Sequence, residues 1–293
     1  MTELLDSESQ RVTTQSNVVS VVIPTYNCKE YVCDAIDSAL AQTYSNIEVI
    51  VVDDGSTDET GEMLESRYGE RIKYIYQRNG GPASARNRAI KESRGELIAF
   101  LDADDLWMPD KLDQQIPAFK AETHLVGCCQ QSESDGRTIE IGFDELALKN
   151  RFSNSGVMVR RSALEQVGLL DERPEFRAVE DWDMWLRLAK VGQLLLLQRN
   201  LIILRVTENS ISGPTQAERM LRNETAVLKK HLQGRPVLYG RALSNCYRSA
   251  AWAFIECHKK RKALWSIFWS YLLFPWNILD RRRLGLLFKI VVS

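Results

Sequence analysis

The sequence predicts an α/β protein with a mostly parallel central sheet flanked by helices and a helical C-terminal appendage. Three observations carry this. Short apolar runs alternate with segments of helical periodicity, joined by short links. The runs at 18–23, 47–52 and 97–101 are valine-, isoleucine- or leucine-rich on both faces, as in strands covered from both sides. Each of the three ends in a polar loop: Thr25-Tyr26-Asn27, Asp53-Asp54, and the trio Asp102, Asp104 and Asp105. In a parallel sheet these ends share one edge, and ligands of α/β proteins bind beyond it.

Taken in order, residues 1–17 are polar, lack the apolar core of a signal peptide and read as a disordered tail. Strand 18–23 leads into a helix at 30–42, where Tyr31, Ala35, Ala39 and Leu40 have helical spacing. After strand 47–52, Ser56-Thr57-Asp58-Glu59 supplies caps for a helix reaching Tyr68. Strand 72–76, the loop Asn79-Gly80-Gly81-Pro82 and a helix at 83–93 follow, with Pro82 near the first turn. Strand 97–101 is next, then a helix at 109–122, a strand at 125–130, a polar turn at 132–137, a strand at 157–159 and a helix at 162–167. Glu180-Asp181-Trp182-Asp183 opens an amphipathic helix, with acidic groups at the end where they are favoured. Strands at 194–197 and 201–206 and a helix at 216–232 complete a domain spanning 18–232.

The region 233–293 differs in character. A helix at 235–262 precedes 263–279, which carries no charge but holds Trp265, Phe268, Trp269, Tyr271, Phe274 and Trp276. The run is shorter than the roughly 20 apolar residues of a spanning helix and is broken by Pro275. Basic clusters at 258–262 and 281–283 bracket it. An interfacial helix on anionic lipid fits this pattern, and so does packing on protein or in a homodimer. The expected setting is cytoplasmic, peripheral on the inner face of a membrane.

The 293 residues are 26% charged with a formal net charge of −1, which gives no footing for a nucleic-acid partner. None of the six cysteines forms a CxxC pair and the three histidines are far apart, so no zinc site is expected. The chemistry concentrates in Asp102, Asp104 and Asp105. A buried strand ending in carboxylates needs water, hydrogen bonds or a cation to compensate the charge. Hard divalent cations such as Mn²⁺ or Mg²⁺ take such oxygens and share their coordination with substrate phosphates. A solvated acidic turn is the plain alternative.

With VSVVIPTYN (19–27), IEVIVVDDGSTD (47–58), NGGPASARN (79–87), GELIAFLDADDLW (95–107) and EDWDMWLRL (180–188) in this order, the chain resembles the family 2 glycosyltransferases. The resemblance implies the GT-A fold. It implies inverting transfer of one sugar from a nucleoside-diphosphate sugar, a UDP-sugar in the first instance, to a glycan or lipid-linked acceptor in polysaccharide biosynthesis. Carried over by position, Pro24, Thr25, Tyr26 and Asn27 line the nucleotide pocket with Asp53 and Asp54, and Asp54 accepts from the base edge. Arg86 sits near the diphosphate or base. Asp102 and Ala103 belong to the DxD segment, in which Asp104 is the metal ligand and Asp102 reaches the ribose or a metal-bound water. Asp181 is the general base, with Glu180 the second candidate.

Two departures qualify the resemblance. Thr207 stands where many relatives carry a histidine, and Gln216-Ala217-Glu218-Arg219-Met220 lacks the tryptophan of the processive QxxRW motif. A phosphatase of the haloacid dehalogenase type also follows a strand with DxD, but no matching lysine and acidic motifs stand out. A non-catalytic module that binds nucleotide sugar or docks glycan-assembly enzymes is the other alternative.

Overall fold

Strand β1 (Val19–Thr25) is buried along almost its whole length, as its valine-rich sequence requires. In the computed structural model, which describes residues 18–130, 135–205 and 213–275, β1 lies between two parallel neighbours. A helix, α1 (Val32–Leu40), leads to β2 (Ile47–Asp53), which pairs with β1 so that Thr25 stands opposite Asp53. Helix α2 (Thr60–Tyr68) and strand β3 (Lys73–Tyr76) extend the sheet on that side. Helix α3 (Pro82–Glu92), with proline at its start, crosses to β4 (Leu97–Phe100) on the other side of β1.

Beyond β4 the sheet changes direction. After β5 (Leu106–Trp107) and α4 (Lys111–Gln115) come β6 (Thr123–Cys129), β7 (Thr138–Glu140), α5 (Phe143–Leu148) and β8 (Met158–Arg160). Helices α6 (Arg161–Val167) and α7 (Glu180–Leu188) precede β9 (Gln193–Asn200) and β10 (Ile202–Ile203). The eight-stranded order is β3-β2-β1-β4-β8-β6-β9-β7. The β3-β2-β1-β4 block and the β6-β9 pair are parallel; the pairings of β8 with β4 and β6, and of β7 with β9, are antiparallel. A separate ribbon joins β5 to β10.

Several expected elements differ. The helix expected at 109–122 is one turn of α4 and a 3₁₀ turn at Ile116–Ala118, because Pro117 cannot donate to a continuing helix. The helix expected at 235–262 is two: α9 (Pro236–Glu256) and α10 (Lys260–Leu273), separated where His258 turns to φ 55°. The run expected as an interfacial helix over 263–279 lies in α10 only up to Leu273; residues 276–279 fall outside the described residues, as do 1–17, Thr207 and the first half of the polar turn at 132–137.

The boundary expected at 232 does not separate two cores. Helix α8 (Ala217–His231) and the first half of α9 contribute Val227, Leu228, Ala242, Leu243 and Cys246 to the same core as Val22, Ile50, Phe100 and Trp185. Only the second half of α9 and α10 form a small core of their own, through Ala250, Ala251, Phe254, Ala263 and Ile267. Small residues let these two helices approach: Ser244 Oγ donates to Ser270 O at 2.6 Å and Ser270 Oγ to Ser244 O at 2.9 Å.

Candidate functional site

The carboxyl ends of β1, β2 and β4 meet on one edge, with Asp54 N donating to Thr25 O at 2.8 Å. Pro24 is half-buried, Tyr26 is exposed, and Asn27 is exposed at φ 48°. Asn27 Oδ1 accepts from Thr57 N at 2.7 Å and its own N–H donates to Ser56 Oγ at 2.9 Å, so the β1 and β2 loops are laced together. The buried Thr25 hydroxyl has no hydrogen-bond partner among the described residues.

Asp53 and Asp54 are both buried. Asp53 accepts from Ser56 N at 2.8 Å and Tyr74 Oη at 3.0 Å. Asp54 accepts from Gln77 Nε2 at 2.7 Å, Gly80 N at 2.8 Å and Gly81 N at 2.7 Å. Its carboxylate, expected to meet a base edge, is therefore turned onto the 77–81 loop and holds the start of α3. Gly81, at φ 91°, makes the bend there without the strain a side chain would add.

From α3, Arg86 points inward rather than to solvent. Its Nη2 donates to Asp102 Oδ1 at 2.6 Å and its Nη1 to Glu180 Oε1 at 2.8 Å. Burial by itself would favour loss of the proton, but Asp102 and Glu180 outweigh it and hold the guanidinium firmly charged. Arg86 Nε and Glu180 Oε2 have no partner among the described residues. One guanidinium thus links the end of β4 to the start of α7.

Ala103 is buried, whereas Asp102 and Asp104 are half-exposed. Asp105 turns inward, accepting from Ser155 Oγ at 2.5 Å and Arg205 N at 3.0 Å. Burial, and then the nearby Asp102, push its pKa up to about 7. Arg205 Nε also donates to Asp104 O, and Nη1 pairs with Asp34 at 2.9 Å. Among the described residues no group of three or more His, Cys, Asp or Glu side chains could hold a metal alone. The hard oxygens of Asp102 and Asp104 nevertheless fit Mn²⁺ or Mg²⁺, which complete their shells with phosphate and water.

Helix α7 is fixed from several sides. Arg187 donates to the carbonyls of Val167, Gly168 and Leu169 at the end of α6. Asp183 receives Arg187, Lys230 and His231. Trp185 is fully buried, edge-on to Phe100 with centroids 5.9 Å apart. On this mount Asp181 Oδ1 accepts from Trp182 N at 2.7 Å, and Oδ2 from Asn150 Nδ2 at 3.0 Å. Crowding by protein, then the neighbouring Glu180, push its pKa from 3.8 to about 7. A carboxylate with that pKa can accept a proton at neutral pH.

The site therefore has two clusters. One joins the 25–27, 53–57 and 77–81 loops; the other joins Asp102, Arg86, Glu180 and Asp181. Asn150, Ser155 and Arg205 were not legible as site residues, since nothing in sequence marks an asparagine 31 positions before its partner.

A family model described as glycosyl transferase family 2 matches residues 20–168. The chain belongs to this family. Glu180 and Asp181 lie beyond the matched range. A putative teichuronic acid biosynthesis glycosyltransferase, TuaG of Bacillus subtilis, is 34% identical over 211 residues, covering 67% of this chain and 82% of that protein. The chain spans 65% or less of the length of several rickettsial relatives, uncharacterised glycosyltransferases, that it also matches. Among solved structures, S. aureus TarS 1-349 in complex with UDP-GlcNAc superposes with a TM-score of 0.63 at 19% identity, covering 93% of this chain and 87% of that one. The mannosyltransferase PcManGT from Pyrobaculum calidifontis, in complex with GDP-Man and Mn²⁺, gives 0.62 at 18% identity, covering 94% and 86%. At these identities the likeness establishes the fold, which is the expected GT-A type.

Proposed function

We propose that this family 2 glycosyltransferase moves one sugar from a nucleoside-diphosphate sugar to an acceptor hydroxyl with inversion, using Asp181 as the general base. The observation that carries this is the run Asp102–Arg86–Glu180–Asp181, which spans from the DxD segment to a carboxylate with a pKa near 7. The acceptor oxygen bonds to the anomeric carbon as its proton passes to Asp181. The bond from that carbon to the diphosphate oxygen breaks, and the nucleoside diphosphate leaves with the electron pair. Glu180, held by Arg86, keeps a negative charge beside Asp181 and so favours uptake of the proton.

Asp104, with Asp102 near it, would hold Mn²⁺ or Mg²⁺ together with the diphosphate, and the ion would stabilise negative charge on the leaving group. The complexes of TarS with UDP-GlcNAc and of PcManGT with GDP-Man and Mn²⁺ support a nucleotide-sugar donor and a divalent ion here. A UDP-sugar is our first choice. The donor's nucleotide would occupy the cluster of Pro24, Thr25, Tyr26, Asn27 and Asp53, with Thr25 Oγ1 as an available hydroxyl. Asp54 would act by shaping the 77–81 loop. The acceptor would be a glycan or lipid-linked glycan, in keeping with the relative named for teichuronic acid biosynthesis.

On the reading of Asp181 as base, Asp181→Asn leaves UDP-sugar binding intact and lowers turnover about 10²-fold or more. Full activity in that variant would assign the base elsewhere. Asp104→Asn removes the Mn²⁺ dependence of UDP binding, followed by calorimetry with and without the ion; an unchanged titration would reject its assignment.

We further place the protein at a membrane surface, on the exposed face of α10. Leu264, Trp265, Phe268 and Leu272 lie on that face beside Arg261 and Lys262, while Ala263, Ser266, Ile267 and Ser270 pack on α9. Aromatics flanked by lysine and arginine suit an anionic headgroup layer. Among the described residues no helix is long and apolar enough to cross a membrane. A homodimer contact through the same face is the competing reading.

A further inference from the structure

A cavity of about 230 Å³ that the reaction as described does not use is linked to Asp181 through one lining residue, Asn150. Asn150 is part of its wall, and the same Asn150 donates to Asp181 Oδ2 at 3.0 Å. Its lining also includes Ile202 and Leu204, the latter adjoining Arg205, which binds Asp104 O and the Asp105 carboxylate. The cavity is thus linked through Asn150 to the proposed base and through Leu204 to the segment that holds the DxD residues. It falls below the roughly 300–1,000 Å³ of pockets for drug-sized ligands, which suits a single sugar unit.

Its charge is one-sided. Lys149 and Arg151 line it and no aspartate or glutamate does. Lys149 is exposed. The Arg151 side chain is half-buried; its Nε has no hydrogen-bond partner among the described residues and is held only by a loose ion pair with Glu145 at 3.5 Å. A guanidinium N–H paired that loosely can still donate a charge-assisted hydrogen bond to an incoming oxyanion. Neutral sugar hydroxyls need no such pair of cations.

We propose that this cavity is the acceptor subsite, and that Lys149 and Arg151 select an acceptor unit bearing a carboxylate or a phosphate. The proposal rests on Asp181 as the base only for its direction; the binding it requires can be measured without turnover.

The test is titration of the full chain, saturated with UDP and Mn²⁺, with methyl β-glucuronide, glycerol phosphate and methyl β-glucoside. We expect at least one anion to bind about tenfold tighter than the neutral glucoside. Lys149→Gln and Arg151→Gln should each weaken that anion about tenfold while leaving UDP and the glucoside unchanged. Preference for the glucuronide identifies a carboxylate, preference for glycerol phosphate a phosphate, and equal binding of both a site that reads charge alone. Equal binding of charged and neutral probes, no binding of either anion, or anion binding indifferent to Lys149→Gln overturns the proposal. Should Arg151→Gln fail to fold, the exposed Lys149 still reports. Should Asp181→Asn stay active while the anion result holds, the subsite stands and the base does not. If UDP fails to bind, the same titrations run without it still compare the variants.

Discussion

Two acidic pairs in this molecule are built from nearly the same residues, yet they are held in different ways, and of the four only Asp181 is half-buried rather than buried. Asp54 retains 3% exposure and Glu180 2%. Around Asp53 and Asp54 the chain supplies five donors, from Ser56, Tyr74, Gln77, Gly80 and Gly81. Around Glu180 and Asp181 the described residues supply three, from Arg86, Asn150 and Trp182, and leave one Glu180 oxygen without a partner. The carboxylates of the first pair tie the 53–57 and 77–81 loops. In the second, burial and then the neighbouring Glu180 raise the affinity of Asp181 for a proton.

The sharpest way to break this contrast is Asp54→Ala. It leaves three N–H groups of the 77–81 loop without their acceptor and should cost about 2–4 kcal/mol. Urea unfolding would measure it, and nucleotide binding should weaken with it. An unchanged midpoint would mean that the loop stands without Asp54.

Asp181→Asn should act in the other direction on stability. Removing a charge that burial disfavours should raise stability at pH 8 by about 1–2 kcal/mol, after allowance for the solvent that still reaches it. Such a gain alongside lost turnover is the usual trade at a working site. A less stable variant would mean that Asp181 holds structure.

The pH dependence sharpens the comparison further. Asp181 and Glu224 have folded pKa values raised to about 7 from 3.8 and 4.5. Between about pH 4 and 7 the folded chain therefore binds more protons than the unfolded one, so their contribution to stability falls as pH rises through that window. Turnover should rise over the upper part of the same window as Asp181 loses its proton. Parallel rather than opposed profiles, by thermal melts and initial rates, would detach the base from Asp181.

The smallest expected effect is at the other end of the chain. Trp265→Ser with Phe268→Ser should weaken co-sedimentation with anionic vesicles about tenfold and leave UDP binding alone. If both proteins instead differ in sedimentation velocity without lipid, the face is a dimer contact.

The parallel block was readable because it is buried on both faces and therefore apolar without interruption, and its polar endings marked the edge where the loops meet. The antiparallel half was harder. Strand β7 and helix α5 are short and partly exposed, so neither alternation nor helical period extends far enough to be seen. The break between α9 and α10 has no glycine or proline, only His258 in the left-handed region. Within the site, the acidic tips could be placed on one edge from strand order alone. The burial of Arg86 could not, because it depends on Asp102 and Glu180 arriving from 16 and 94 positions away. Nor could the donors that fill Asp54, which come from backbone rather than from a recognisable side chain.

The Arg86 fork has a mechanical corollary. One rigid planar group gauges the separation between the point where a diphosphate would depart and the helix that would receive the proton. Loops lining the acceptor side can therefore lengthen, shorten or change charge without resetting that spacing. A chain organised like this can change what it glycosylates while keeping how it does so.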